Sequence, residues 1–360
     1  MLYKSAINIV DREISLAAPT YFIADIASNH DGEIERAKDL IYKAKEAGAN
    51  AAKFQHFLAK DLVSASGFNN LGSIMEHQRK WKKSTYEIYE QYECSREWTE
   101  ILVNTCKEAG IDFMTTPYDY EAIHEMEKHI VAYKIGSGDI TCTGEIECIA
   151  KKNKPVFLAT GASSMQDVER AVSCILEHNP KLVLMQCNTN YTSKKENFAY
   201  INLRALEVFK IKWPNMLLGL SDHTPGHATV LGAVTLGARV IEKHFTDDNS
   251  RTGPDHLFSM SPITWRDMVD RTRELEYSLG DGIKKIEANE INTVILQRRS
   301  MHVNKTLKAG SCVTIADIDF LRPAPAGSIP PYEIDKIIGR NLLVDKADGD
   351  TLFYADLSDS

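Results

Sequence analysis

Two histidines carry the first chemical signal in this chain. His223 stands in Gly219-Leu-Ser-Asp-His-Thr224, His244 in Arg239-Val-Ile-Glu-Lys-His-Phe-Thr246, and Arg251-Thr-Gly-Pro-Asp255 follows. Each histidine comes at the end of a short apolar run beside Ser221, Asp222 or Glu242, and the stretch 228–236 between them has helix-like spacing. A strand, helix, strand reading therefore sets two imidazoles side by side just beyond two strand ends. Neutral imidazoles in that position could hold a metal ion, with the carboxylates and the hydroxyl in the same mouth. Such a site needs further partners from other strand ends.

The elements that must supply those partners recur regularly. Apolar runs at 21–27, 51–55, 112–116, 132–135, 156–160, 182–186, 217–221 and 238–243 read as strands. Amphipathic or helix-compatible stretches at 33–47, 98–109, 120–129, 144–151, 166–178, 201–209, 228–236 and 263–279 follow them. Strands alternating with helices imply parallel pairing through right-handed crossovers, and eight such units in about 250 residues predict an α/β fold, a (β/α)8 TIM barrel. A doubly wound open sheet would spread the polar strand ends along an edge, whereas a barrel gathers them around one mouth. An N-terminal ribbon is expected over 5–16, and the polar, aromatic-bearing excursion 57–97, with Trp81, Tyr86, Tyr89 and Tyr92, is a candidate lid or substrate loop. Beyond a catalytic domain at 1–282 and a linker at 283–296, short runs punctuated by Gly and Pro make 297–360 a small β-rich domain. So small a module buries little core and is expected to lean on a partner surface.

Composition sets limits on function. The chain has 360 residues, 43% hydrophobic and 26% charged, which is ordinary for a soluble globular protein. A net charge of −8 argues against a general nucleic-acid or membrane-surface binder, while leaving room for an anionic small substrate held by local lysines. The 7 cysteines are scattered without a C-x-x-C pair, as expected for reduced structural thiols. No secretory or membrane-spanning run is evident, so the expected location is the cytoplasm.

Several motifs, taken in order, resemble one family over nearly the whole chain. They are Ile23-Ala-Asp-Ile-Ala-Ser-Asn-His-Asp-Gly32, Ala52-Lys53-Phe54-Gln55, Thr115-Thr-Pro117, Tyr133-Lys134-Ile-Gly-Ser137-Gly, the two histidine motifs and Gly253-Pro-Asp255. The sequence is similar to the sialic acid (N-acetylneuraminate) synthases, and Arg298-Arg-Ser, Leu321-Arg-Pro323 and Ile338-Gly-Arg340 resemble their C-terminal antifreeze-like (SAF) domain. The resemblance implies condensation of phosphoenolpyruvate with an N-acylated aldose to a nine-carbon 2-keto sugar acid. Another phosphoenolpyruvate-dependent synthase or aldolase, or a carbohydrate-binding protein without turnover, are the competing readings.

Phosphoenolpyruvate asks for cations and neutral donors, which Lys53 and Lys134, Thr116, Ser137 and Ser221 would supply at strand ends. Asn188, or Asn190, stands for the family's asparagine there. With imidazole, water and substrate oxygen as ligands, His223 and His244 suit Mn2+ or Mg2+ better than a structural zinc, which takes four protein ligands. The resemblance further implies that Glu242 steers or deprotonates the attacking water, although a salt bridge to a barrel lysine is its plainer role. Asp25, Gln55, Tyr191 and Asp255 would bind the sugar, and Arg322 would reach the barrel of a second subunit in a domain-swapped homodimer. Asp25 stands where the family commonly has Glu, and Asn69 and Asn70 are the candidates for a sugar-binding asparagine in the divergent 57–97 stretch.

Overall fold

The alternation of strands and helices closes on itself. The computed structural model describes residues 3–71 and 83–359. An antiparallel ribbon of β1 (Ala6–Ile9) and β2 (Arg12–Ser15) comes first. The barrel strands are β3 (Tyr21–Asp25), β4 (Ala51–His56), β5 (Asp112–Pro117), β6 (Tyr133–Ile135), β7 (Val156–Ala159), β8 (Leu182–Cys187), β9 (Leu217–Asp222) and β10 (Ala238–His244). They form a closed parallel barrel in chain order, and β10 pairs with β3 from Val240↔Tyr21 to His244↔Asp25 to shut it.

Local sequence explains the helices that wrap it. Met165–His178 starts at a capping box of Ser164 and Asp167, and its Val168, Ala171, Val172 and Ile175 recur at helical spacing on the buried face. Thr99–Ala109 stops at Gly110, whose φ of 67° is the left-handed conformation that a side chain disfavours. The helix expected at 201–209 lies instead at Ala205–Lys212. Asn202, at φ 49°, turns the chain out of helical geometry just before it.

Among the described residues of the 57–97 excursion, the expected loop carries three short α-helices, Ala59–Leu62, Ala65–Asn70 and Thr85–Gln91. Ser84 caps the last of them by accepting from the Glu87 N–H. Trp81 of that stretch lies outside the described residues.

Strand parity divides the barrel's apolar residues into two sets. Tyr21, Ile23, Ala51, Met114, Ala132, Phe157, Val183, Met185, Leu217 and Val240 form an interior cluster with Ile7, Ile9 and Ile14 of the ribbon. The alternate residues, among them Phe22, Ala24, Phe54, Tyr133, Leu158 and Ile241, join the helices in the larger core. Side chains alternate across a strand, so a position's parity tells which set it belongs to.

The chain divides between Gly280 and Asp281 into two compact units. The second contains a 3-10 turn, Ala288–Glu290, and a helix, Ile291–Gln297, in the segment expected to be a linker. Its core is built on Met301, Val303, Val313, Ile329 and Leu352, each at most 1% exposed. Among the described residues only β11 (Ser300–Val303) and β12 (Ile318–Leu321) pair there as a regular ladder; single bridges such as His302↔Thr351 and Leu342↔Leu357 join much of the rest. Among the described residues no helix is long and apolar enough to cross a membrane.

Candidate active site

Continuing the interior parity toward the C-terminal strand ends turns the apolar cluster into a polar one. Asp25 follows Tyr21 and Ile23, Lys53 and Gln55 follow Ala51, Thr116 follows Met114, and Lys134 follows Ala132. On the other side of the barrel, Cys187 follows Met185, Ser221 and His223 follow Leu217, and Glu242 and His244 follow Val240. Period two and parallel register thus bring residues far apart in sequence to one mouth. That mouth is the C-terminal face, where the βα loops of such barrels build their sites.

The floor of the mouth is ionic. Lys53 and Lys134 are 1% and 3% exposed, so neither reaches solvent as a snorkelling lysine would. The Lys134 ammonium lies 3.1 Å from Glu242 Oε1, and that of Lys53 lies 2.7 Å from Asp25 Oδ2 and 4.0 Å from Glu242 Oε2. Lys53 also donates to Thr116 Oγ1 at 3.3 Å, and Ser221 donates to Glu242 Oε1 at 3.0 Å. Burial works against the charge on Glu242, but Lys134 and Lys53 outweigh it and hold the carboxyl below its ordinary range. Burial likewise opposes the charge on Lys53, and Asp25 and Glu242 overcome it, so that its pKa is raised. Glu242 Oε2 is buried without a hydrogen-bond partner, an unusual cost inside a protein and an acceptor left for another molecule.

The histidines sit beside this floor. His244 is the last residue of β10 and His223 the first beyond β9, with ring centroids 5.3 Å apart. His223 Nδ1 is 2.8 Å from the Asn188 carbonyl, so a proton there is held and Nε2 is left as the exchangeable position. Burial lowers the basicity of His223, but Cys187 and the Asn188 carbonyl reverse it and the net shift is upward. On His244 burial outweighs the pull of Asp25 and Asp255, keeping the ring neutral at lower pH than usual, and its Nδ1 is buried without a hydrogen bond.

Imidazole nitrogens bind divalent metals at about 2 Å, which places the centres of two rings converging on one ion roughly 5 Å apart. The observed spacing suits a shared ion. Among the described residues no cluster of three or more His, Cys, Asp or Glu could hold a metal, so the protein would offer two ligands and leave positions for substrate and water. The donor set therefore fits an open catalytic cation rather than a closed structural zinc.

The expected sugar residues gather near the pair, already engaged. Asp25 Oδ2 accepts from Lys53 and, at 3.2 Å, from Gln55, and it stands 3.6 Å from His244 Nε2. Asp255 Oδ2 accepts from the Ser28 N–H at 3.1 Å and lies 3.9 Å from His244 Nδ1. His256 anchors that loop, its Nε2 2.9 Å from Asp31 and its Nδ1 2.7 Å from Thr246 Oγ1. A Cβ on Gly253 would fall 2.6 Å from the same ring, which explains the glycine. Tyr191 packs edge-on against His223, with ring centroids 4.5 Å apart.

Other expectations change on inspection. Ser137 Oγ accepts the Gly161 N–H at 2.9 Å. The Asn188 amide donates to the Tyr200 carbonyl and accepts from the Asn190 N–H, while the Asn190 amide donates to Asn197. Both amides are thus spent within their own loop, and Asn188 reaches the site through its backbone carbonyl. Asn69 and Asn70 are exposed, whereas the adjacent Phe68 lines the site's cavity. Arg322 is exposed on the second unit.

Sequence reasoning missed three groups. Asp139 lines the cavity, and burial pushes its carboxyl up to about 6 against the pull of Lys134. Cys187 was visible only as the next inward parity after Met185. Asp222, expected in the mouth beside Glu242, instead points outward from β9, as the unnoticed Lys243 does from β10; they are 2% and 1% exposed and pair behind the histidines that follow each of them. Thr229 and Thr224 donate to Asp222 Oδ2 at 2.7 and 2.8 Å, which ties both strand ends to the helix Ala228–Thr235. A charged residue at an outward position of an otherwise apolar strand was the available signal.

Comparison with known proteins agrees with this arrangement. Residues 40–284 match the NeuB family and residues 298–358 the SAF domain. The N,N'-diacetyllegionaminic acid synthase of Legionella pneumophila is 34% identical over 343 residues, covering 93% of each chain. The pseudaminic acid synthase of Campylobacter jejuni is 30% identical over 93% of this chain and 96% of its own. A crystal structure of the N-acetylneuraminic acid synthetase of Leptospira borgpetersenii in complex with citrate matches with a TM-score of 0.68 and 26% identity, over 81% of this chain and 96% of that one. The barrel with its ionic mouth, the SAF domain that follows it and these relatives place the chain in the NeuB family of acid synthases.

Proposed function

We propose that this protein condenses phosphoenolpyruvate with an N-acylated aldose, giving a nonulosonic 2-keto acid and inorganic phosphate for surface glycan synthesis. The observation that carries this reading is the pair of buried ammoniums, Lys53 and Lys134, flanking an unsatisfied Glu242 oxygen beside two histidines. Two buried cations suit a small substrate with a phosphate and a carboxylate. The Thr116 hydroxyl, which accepts from Lys53, keeps its own O–H for the substrate, and Ser137 adds a second hydroxyl, while Ser221 gives its O–H to Glu242.

When bound by His223 and His244, Mn2+ or Mg2+ would polarise the aldehyde oxygen of the open-chain sugar. Lys53 and Lys134 hold the enol phosphate so that its C3 faces that aldehyde carbon, and a C–C bond forms between them. Positive character then develops at C2, where Glu242 directs a water molecule and takes its proton through the free Oε2. Cleavage of the C2–O bond releases phosphate with the bridging oxygen and leaves the 2-keto acid. Gln55, Asp25, Tyr191 and Asp255 orient the sugar.

The test is phosphate release from phosphoenolpyruvate with N-acylated aldoses, repeated in oxygen-18 water. Label in the keto acid and none in the phosphate supports C–O cleavage; label in the phosphate rejects it. The proposal extends to a domain-swapped homodimer in which Arg322 serves the other copy's sugar. Arg322→Ala mixed with an inactive Lys53→Ala chain should regain part of the activity, and failure of that complementation argues for a site completed within one chain.

A further inference from the structure

The barrel carries another cavity at the end away from the histidines. Tyr21 and Arg239, near the starts of β3 and β10, line about 900 Å3 there with Arg12 of the ribbon, Thr20, and Arg273 and Glu276 of the helix Pro262–Leu279. All of them belong to the first compact unit. Arg239 and His244 share β10, and a rise of about 3.3 Å per residue puts them roughly 17 Å apart, so this cavity is distinct from the mouth.

Its charges are unevenly paired. Arg273 takes Glu276 Oε2 at 2.7 Å, and Glu276 Oε1 accepts the Thr20 N–H at 2.6 Å. Arg12 takes Asp112 at 2.9 Å, which also accepts from the Tyr21 O–H at 2.7 Å. Glu13, the other glutamate of the lining, is exposed. Arg239 spends Nε and Nη1 on the carbonyls of Leu16, Val234 and Ala238. Among the described residues it has no carboxylate within ion-pair distance, and its Nη2 has no hydrogen-bond partner. Burial lowers its pKa, and the more distant Glu276 offsets this only in part. Thr20, 1% exposed, adds a hydroxyl buried without a partner. A half-buried guanidinium short of a counter-charge is costly, and an anion beside it would relieve the cost.

We infer that this cavity binds a small organic oxyanion, a phosphate monoester or a carboxylate, held by Arg239 with Arg12 and Arg273 beside it. Guanidinium forks match the paired oxygens of either group, which a point-charge lysine does not. The volume lies in the range of small-molecule sites, larger than a bare ion needs, and Leu16, Pro19 and Tyr277 offer apolar surface to a carbon body. The inference goes beyond the proposed reaction and does not depend on it.

Phenyl phosphate, benzoate and phenol are titrated calorimetrically into the full chain and into Lys53→Ala, whose mouth has lost a cation. Oxyanion binding should survive in Lys53→Ala, with phenol far weaker; tighter phenyl phosphate assigns a phosphate ester, tighter benzoate a carboxylate. Made in both chains, Arg239→Gln should weaken that binding by about 10- to 100-fold, the effect of losing a charge-assisted hydrogen bond. Arg12→Gln, at a side chain 41% exposed, should weaken it by a smaller factor and guards against misfolding. Binding lost in Lys53→Ala but intact in both arginine variants places the anion in the mouth and overturns the inference. No oxyanion binding at all, or phenol bound as tightly as either anion, also overturns it.

Discussion

Replacing Glu242 by Gln removes, among the described residues, the only carboxylate within ion-pair distance of both ammoniums, while preserving shape. At the observed 3.1 and 4.0 Å, attractions of about 5 and about 4 kcal/mol are lost for an effective dielectric of roughly 20. Much of that is offset, since the buried carboxylate no longer has to be stripped of water. Lys53 keeps Asp25, but among the described residues Lys134 has no second carboxylate within ion-pair distance. Breaking one partner of a buried pair costs about 3–5 kcal/mol, and some relaxation at the mouth places the expected loss near the lower end.

Thermal unfolding without ligand should therefore start several degrees lower in Glu242→Gln. Phosphoenolpyruvate should restore more of that loss than it adds to the unaltered protein, because the Lys134 ammonium, left without its counter-charge, awaits an anionic group. Turnover should fall by about 10²- to 10⁴-fold if the carboxylate also takes the water's proton. A variant as stable as the parent, with no larger response to phosphoenolpyruvate, would refute the ionic account of the floor. Retained turnover with lost stability would reduce Glu242 to an ion-pair partner.

His244→Ala should abolish metal-dependent turnover with the circular dichroism unchanged, and full activity of the parent after exhaustive chelation would sink the metal assignment. Asp222→Asn leaves Lys243 buried without its counter-charge and should cost about 3–5 kcal/mol in urea unfolding; an unchanged midpoint would show that the pair does not pin the histidine strands. Asp139 gives a pH signature. Its folded pKa, raised to about 6, makes the charged form costly above that pH and removes the cost as pH falls toward the unfolded value. Asp139→Asn should therefore stabilise the protein by up to about 3 kcal/mol at pH 8 and little at pH 4. The same gain at both pH values would show that the carboxyl is not strained by burial. Glu242 and Asp222 run the other way: both are lowered, so their contributions are complete above the usual carboxylate range and disappear as pH falls through the lowered values.

The barrel was legible because its strands are short apolar runs with a polar residue at the end, and period two then decides which polar residues face inward. Lys53, Lys134, Glu242 and the two histidines share the interior parity of Ala51, Ala132, Val240 and Leu217, and they meet for that reason. Partners set by loop geometry were not legible. The Asn188 amide turns to Tyr200 because 188–200 folds back on itself, which spacing does not encode. In the 57–97 stretch the asparagines were the candidates, yet they are exposed and the adjacent Phe68 lines the cavity. Asp222 was expected in the mouth with Glu242, but its parity is opposite to that of Ser221 and His223, so it turns outward to Lys243.

The central claim is tested most directly by mixing the purified chain with phosphoenolpyruvate, a divalent cation and an N-acylated aldose, then measuring phosphate and the mass of the organic product. The account predicts stoichiometric phosphate release that requires the sugar and yields a 2-keto acid three carbons longer than it. Phosphate released equally without sugar, or a sugar bound and returned unchanged, would contradict it.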